Sequence, residues 1–135
     1  MSRSTHESIV LKASGFAPGA QGSGNGTGID TKGYRLATLP INCTTGSGKT
    51  LDVKVQSSTD NGSTDAYADI SGAAITQITA NNKTAMIVVR ACEKERYLRA
   101  VVAGGTSPVA SIGPWELSDP INLPVSSAAD EVVVV

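Results

Sequence analysis

Leu51-Asp-Val-Lys-Val-Gln56 places Leu51, Val53 and Val55 on one side of an extended chain and Asp52, Lys54 and Gln56 on the other. Side chains alternate faces along a strand, so this stretch predicts a strand with one face buried and one in water. Thr59-Asp-Asn-Gly-Ser63 follows, and its Asn-Gly pair tolerates the positive φ of a tight turn. The alternation returns in Arg96-Tyr-Leu-Arg-Ala-Val-Val-Ala103, with Leu98, Ala100 and Val102 inward, and stops at Gly104-Gly-Thr-Ser-Pro108. Polar-apolar alternation broken by Gly, Asn, Asp and Pro is the pattern of antiparallel strands.

Working outward, Ser8 to Ser14 sets Ile9, Leu11 and Ala13 against Val10 and Lys12 and predicts a first strand. Gly15 to Gly28 is a glycine-rich loop. Tyr34 to Leu39 predicts a strand ending at Pro40, because proline cannot donate to a ladder. Asp65 to Ile70 and Ala73 to Thr79 are shorter strands around Ser71-Gly72. Met86-Ile-Val-Val89, within Thr84 to Ala91, is a continuous apolar run suited to a strand covered on both faces. Val109 to Leu117, with Trp115 near its end, is the last clear strand, and no helix is predicted. The expected fold is all-β: a single antiparallel β-sandwich, jelly-roll-like, over residues 8–117. A flexible N-terminal arm (1–7) and an extended C-terminal arm (118–135) flank it.

The totals narrow the function. A chain of 135 residues is one domain by length. Its aromatic residues are Phe16, Tyr34, Tyr67, Tyr97 and Trp115, so the core must be mainly aliphatic. With 11 Lys and Arg against 12 Asp and Glu, charge is nearly balanced, which argues against the basic footprint that nucleic acid requires. No apolar run approaches the roughly 20 residues of a spanning helix, so no membrane partner is expected. Met1-Ser-Arg-Ser-Thr-His-Glu-Ser8 lacks the apolar stretch of a signal peptide, and synthesis in a cytoplasm is the expectation. In that compartment Cys43 and Cys92 are expected to be free, small, buried side chains.

Motifs suggestive of chemistry do not hold together. Cys43-Thr-Thr-Gly-Ser-Gly-Lys-Thr50 ends like a phosphate-binding loop, but Cys43 stands where that loop needs glycine and a strand follows where it needs a helix. A hairpin turn is the expectation there. His6 lies in a polar tail without the packed support that a general base needs. Asp60, Asp65 and Asp69 flank turns, with Ala66 and Tyr67 interrupting any calcium-loop spacing. Asn25, Asn42, Asn61 and Asn82 head Asn-x-Ser/Thr sequons that read as products of Asn- and Thr-rich turns. Tyr34, Tyr67 and Trp115 could form a sugar-stacking face. No catalytic, cofactor-binding or metal-ligating residue is predicted, and the chain is read as not an enzyme.

The chain ends Glu131-Val-Val-Val-Val135. Four exposed β-branched residues would be an aggregation hazard. Docking on the chain's own sandwich, strand addition or groove binding on a neighbour, and plain disorder are the alternatives for them. The extended, proline-flanked Ser118-Asp-Pro-Ile-Asn-Leu-Pro-Val125 precedes them. The candidate inter-subunit contacts are therefore Ile121, Leu123, Val125, Val132, Val133, Val134 and Val135.

The order Ile9-Val-Leu-Lys-Ala13, glycine-rich loop, Leu51-Asp-Val-Lys-Val-Gln56, Asp60-Asn-Gly-Ser63, Arg96-Tyr-Leu-Arg-Ala100 and Gly104-Gly-Thr-Ser-Pro108 resembles small structural proteins of tailed bacteriophages. The resemblance spans residues 8 to 117, and the C-terminal extension departs from it. It implies a virion component: a capsid decoration or cement protein on the outer head surface, partnered by the major capsid protein. A homo-oligomer is implied too, with a trimer placed ahead of other states. A tail- or fibre-associated protein and a module binding host-surface glycans are the alternatives. Deleting Glu131–Val135 is expected to weaken capsid binding and leave the sandwich folded.

Overall fold

A computed structural model describes residues 9–118 and 130–135. Two β-sheets pack face to face over an aliphatic core. In chain order the strands are β1 (Ile9–Lys12), β2 (Gly19–Ala20), β3 (Gly24–Asn25), β4 (Ile29–Asp30), β5 (Leu36–Thr45), β6 (Thr50–Ser58), β7 (Ala68–Ala74), β8 (Lys83–Arg90), β9 (Tyr97–Gly105), β10 (Val109–Ile112), β11 (Trp115–Ser118) and β12 (Glu131–Val134). Among the described residues the one helical element is a 3-10 turn, Ala91–Glu93.

The second sheet is built on the alternating stretches Leu51–Gln56 and Arg96–Ala103. β6 and β9 pair antiparallel from Thr50↔Gly105 to Ser58↔Tyr97, with β7 beyond β6 and β3 and β4 beyond β9. Leu51, Val53, Val55, Leu98, Ala100 and Val102 all point into the core, as the alternation requires. Asn61 and Gly62 both take positive φ, at 60° and 78°, in the turn that leaves β6. β7 runs through the Ser71-Gly72 break expected between two short strands, with a register shift against β6, and of residues 75–79 Ile78 makes an isolated bridge to Leu51.

The first sheet is branched. β5 pairs with β8 along one side, while its two halves take β11 and β10 on the other. Beyond these lie β1, beside β11, and β2, beside β10, and β12 flanks β8. The expected strand Val109 to Leu117 is thus two strands, divided by a cis Gly113–Pro114 bond. That division explains why β5 runs through Pro40 instead of ending there. The Pro40 carbonyl accepts from the Gly113 amide (2.8 Å), so its nitrogen faces the same side, at the break between β10 and β11. The missing N–H falls where no ladder partner is needed.

Leu39, Ile41, Ile87, Val89 and Leu117 face the second sheet across the core, together with the fully buried Trp115. Burying each large aliphatic side chain contributes about 1.5–3 kcal/mol. Two expectations about packing change. Register with Leu117 turns Val10 toward the core and leaves Leu11 outward and 61% exposed. Cys43 is buried as expected, but Cys92, on the 3-10 turn, is exposed, and both are free. The Gly46–Lys49 turn carries the chain from β5 in one sheet to β6 in the other, so it is an inter-sheet arch and not a hairpin.

Candidate interaction surfaces

The C-terminal valines form a strand of this chain's own sheet. β12 pairs parallel to β8, with Val132↔Met86 and Val134↔Val88, a parallel ladder in an otherwise antiparallel fold. The ends are secured by the Asp130 amide donating to the Thr84 carbonyl (3.0 Å) and the Val135 amide donating to the Val88 carbonyl (2.8 Å). The Arg90 amide donates to the Val135 carbonyl (2.7 Å). The Glu131 carboxylate accepts from the Thr76 amide (2.9 Å) and hydroxyl (3.1 Å). Val133 and Val135 pack against the core, whereas Val132 and Val134 face outward, each 37% exposed. Of the predicted contact residues, Val132 and Val134 are therefore presented on the surface and Val133 and Val135 are turned inward. Ile121, Leu123 and Val125 lie outside the described residues, as does the arm 1–7.

The outward face of the second sheet carries a polar and aromatic ladder. The Arg99 guanidinium stacks 4.3 Å from the Tyr67 ring centroid, and its Nε donates to Gln56 Oε1 (2.8 Å). The Tyr67 hydroxyl donates to Asn61 Oδ1 (2.7 Å), and burial pushes its phenol pKa up. Gln56 Nε2 and Lys54 Nζ both donate to Asp69, whose pKa is lowered, first by the Gln56 hydrogen bond. At the far end Arg96 makes a bidentate pair with Asp30 (2.7 and 2.6 Å), which holds that carboxyl at about 2. Cations and carboxylates alternate along this face, so it holds no concentrated charge of one sign. Sequence reading missed the ladder because it depends on cross-strand register. The signal was present in the outward positions Gln56 and Arg99, which pair directly.

The sites suggestive of chemistry are occupied by the protein's own groups. In the arch after β5 the Gly46 and Ser47 amides, which a phosphate would need, both donate to Asn81 Oδ1 (3.0 and 2.9 Å). Asp60 accepts from the Thr64 hydroxyl and amide and from the Asp65 amide, and these bonds hold its pKa at about 2. Asp65 meets Glu95, whose pKa rises chiefly through the hydrogen bond between the two carboxyls. Among the described residues no group of three His, Cys, Asp or Glu is placed to hold a metal. A cleft of about 480 Å³ between the β4–β5 connection and the 3-10 turn has Lys32, Tyr34, Arg35, Cys92, Lys94 and Arg96 in its lining, with no carboxylate or imidazole to act as a base. Burial raises the Cys43 thiol pKa, opposite to what a nucleophile needs. Trp115 is fully buried and cannot stack on a sugar.

No helix among the described residues is long and apolar enough to cross a membrane. No protein family, no curated protein and no solved structure matches this chain.

Proposed function

We propose that this chain is a non-enzymatic structural protein of a tailed-bacteriophage virion, a decoration protein that bridges major-capsid subunits on the outer head. The observation carrying the reading is the resemblance of Leu51–Gln56, Asp60–Ser63 and Arg96–Pro108, whose strands β6 and β9 pair along their whole length at the centre of one sheet. A cement protein needs a rigid module with small apolar contact points that act many times over a shell. Val132, Val134 and Leu11 are such points, outward-facing and on strands at or near sheet edges. Repeated contacts of this size sum through multivalency, so each interface can be modest. The assembly would be a homo-oligomer seated on a local symmetry axis.

Mass spectrometry and electron cryo-microscopy of the assembled particle test this. Hundreds of copies on the outer head shell are the expected result. A few copies confined to the tail would replace it with the tail or fibre reading, and absence from the particle would end both.

One observation favours a glycan-binding module as the second reading. Tyr67 is half-buried, its ring stacked on the Arg99 guanidinium and its hydroxyl bonded to Asn61, so this aromatic ring is fixed in orientation at the surface. Glycan-array binding abolished by Tyr67→Ala, with the fold intact, would establish it. Unchanged binding would remove it.

A further inference from the structure

The cleft between the β4–β5 connection and the 3-10 turn is walled by two short turns and lined by charge of one sign. Its volume of about 480 Å³ is ordinary for a small-molecule site. The turn over residues 31–34 closes with the Tyr34 amide donating to the Thr31 carbonyl (3.0 Å), and Gly33 takes its positive φ of 91°. The second turn closes in the same way, the Lys94 amide donating to the Ala91 carbonyl (3.2 Å). The Thr31 amide (2.9 Å) and hydroxyl (2.6 Å) both donate to the Arg96 carbonyl, which fastens the first turn to the chain leaving the second. The cleft is thus preformed, and a ligand would not have to order it.

Lys32, Arg35, Lys94 and Arg96 are in the lining and no carboxylate is. Asp30 offsets Arg96 through their bidentate pair, and it also accepts from the Lys32 amide (3.0 Å). The acids that flank Lys94 in sequence serve other partners, Glu93 the Arg90 guanidinium (3.8 Å) and Glu95 the Ser57 hydroxyl (3.2 Å). Lys32 and Lys94 are exposed and enter no ion pair among the described residues. Two uncompensated ammonium groups therefore line one concave space, and the count does not rest on Arg35. Beside them Tyr34, half-buried against the core, and the buried Ala91 supply apolar wall. Two further clefts lack this combination. Lys83 shares one with Asp130 and Glu131, and the other, at Phe16 and Pro18, has no charged residue in its lining.

We propose that this cleft binds a phosphate monoester carried on an aromatic ring. The phosphate, close to dianionic at neutral pH, matches two ammonium groups, which hold it as point charges. The ring would lie against Tyr34 and Ala91, removing apolar surface from water. Both lysines are exposed, so the attraction is modest and salt-sensitive. The inference does not depend on the virion reading.

Amide-detected NMR of the full chain, titrated with phenyl phosphate, tests it. Saturable shifts are expected at residues 31–35 and 91–94, with affinity falling several-fold as salt is raised. Phenol and inorganic phosphate should each bind several-fold more weakly. Lys32→Gln with Lys94→Gln should weaken phenyl phosphate roughly tenfold or more by removing both charges. The rest of the spectrum should stay unchanged, because both side chains are exposed. Cys92, exposed and in the lining, gives a second readout: saturating phenyl phosphate should slow its alkylation by iodoacetamide. Shifts that never saturate, or an affinity unchanged in the double variant, would overturn the proposal. So would phenol or inorganic phosphate binding as tightly as phenyl phosphate, or Cys92 alkylated at full speed in its presence.

Discussion

Two residue-scale features carry measurable consequences. A Cβ on Gly104 would lie 2.2 Å from the Gln21 carbonyl oxygen, and backbone cannot swing aside as a flexible side chain can. That carbonyl is held because the Gln21 amide donates to Pro108 O and its side chain donates to Ala17 O and Ala110 O. Gly104→Ala should therefore cost about 1–3 kcal/mol in chemical denaturation. Gly22→Ala, with nothing within 4 Å of its Cβ and no positive φ, should be close to neutral. The carboxyls differ in a way that fixes an order of titration. Hydrogen bonds from Arg96 to Asp30 and from Thr64 to Asp60 lower both folded pKa values to about 2, below the ordinary 3.8. Such groups contribute stability above pH 3.8 that is lost as pH falls through about 2. Carboxyl carbon shifts should show Asp30 and Asp60 titrating last on acidification. Glu95, raised by its bond to Asp65, should protonate first of the three. Asp60 with a midpoint at its ordinary value would mean that the Thr64 bonds do not form.

The strands that could be read from the sequence are those whose alternation is local. β6 and β9 carry their own inside-outside pattern, and the Asn61–Gly62 turn carries its own backbone chemistry. What escaped reading depends on distant partners. Pro40 sits mid-strand because the facing strand happens to break at Gly113, and Val10 turns inward because Leu117 sets its register. The same applies to the valine tail. Its hydrophobicity favoured docking, with disorder as an alternative, and its parallel partner β8 lies more than forty residues away in sequence. Docking on β8 changes the expected effect of removing it. Deleting Glu131–Val135 strips a strand from β8 and two half-buried valines from the core, so it should lower stability as well as any binding. Point changes separate the two roles. Val133→Asp, which forces a carboxylate against the core, should destabilise by about 2–3 kcal/mol. Val132→Asp, on the outward side, should stay within about 0.5 kcal/mol in thermal unfolding. It should still reduce occupancy on shells if outward β12 residues make the capsid contact. Equal destabilisation by the two changes would contradict the inward-outward assignment.

For the whole molecule, the pairing pattern places the first and last described strands, β1 and β12, in one sheet at opposite edges. Ile9 pairs with Ser118, and β12 pairs with β8 at the other edge. The first sheet therefore cannot be completed until more than a hundred residues have been brought into register, whereas β6 and β9 in the second are closer in sequence. Loop-closure entropy must be met before these distant contacts are rewarded, which places folding in the millisecond-to-second range of all-β sandwiches. Trp115, the single tryptophan, reports on the late event directly, since it lies on β11 between β1 and β5 and is fully buried. Stopped-flow refolding followed by tryptophan fluorescence should show burial developing over milliseconds to seconds. Lys12→Pro, which removes the amide of the residue paired with Trp115, should weaken the β1–β11 ladder. If β1 docks after the rate-limiting step, the change will speed unfolding and leave the refolding rate almost untouched. Microsecond burial of Trp115 would show instead that β11 packs from local contacts, before β1 has paired with it.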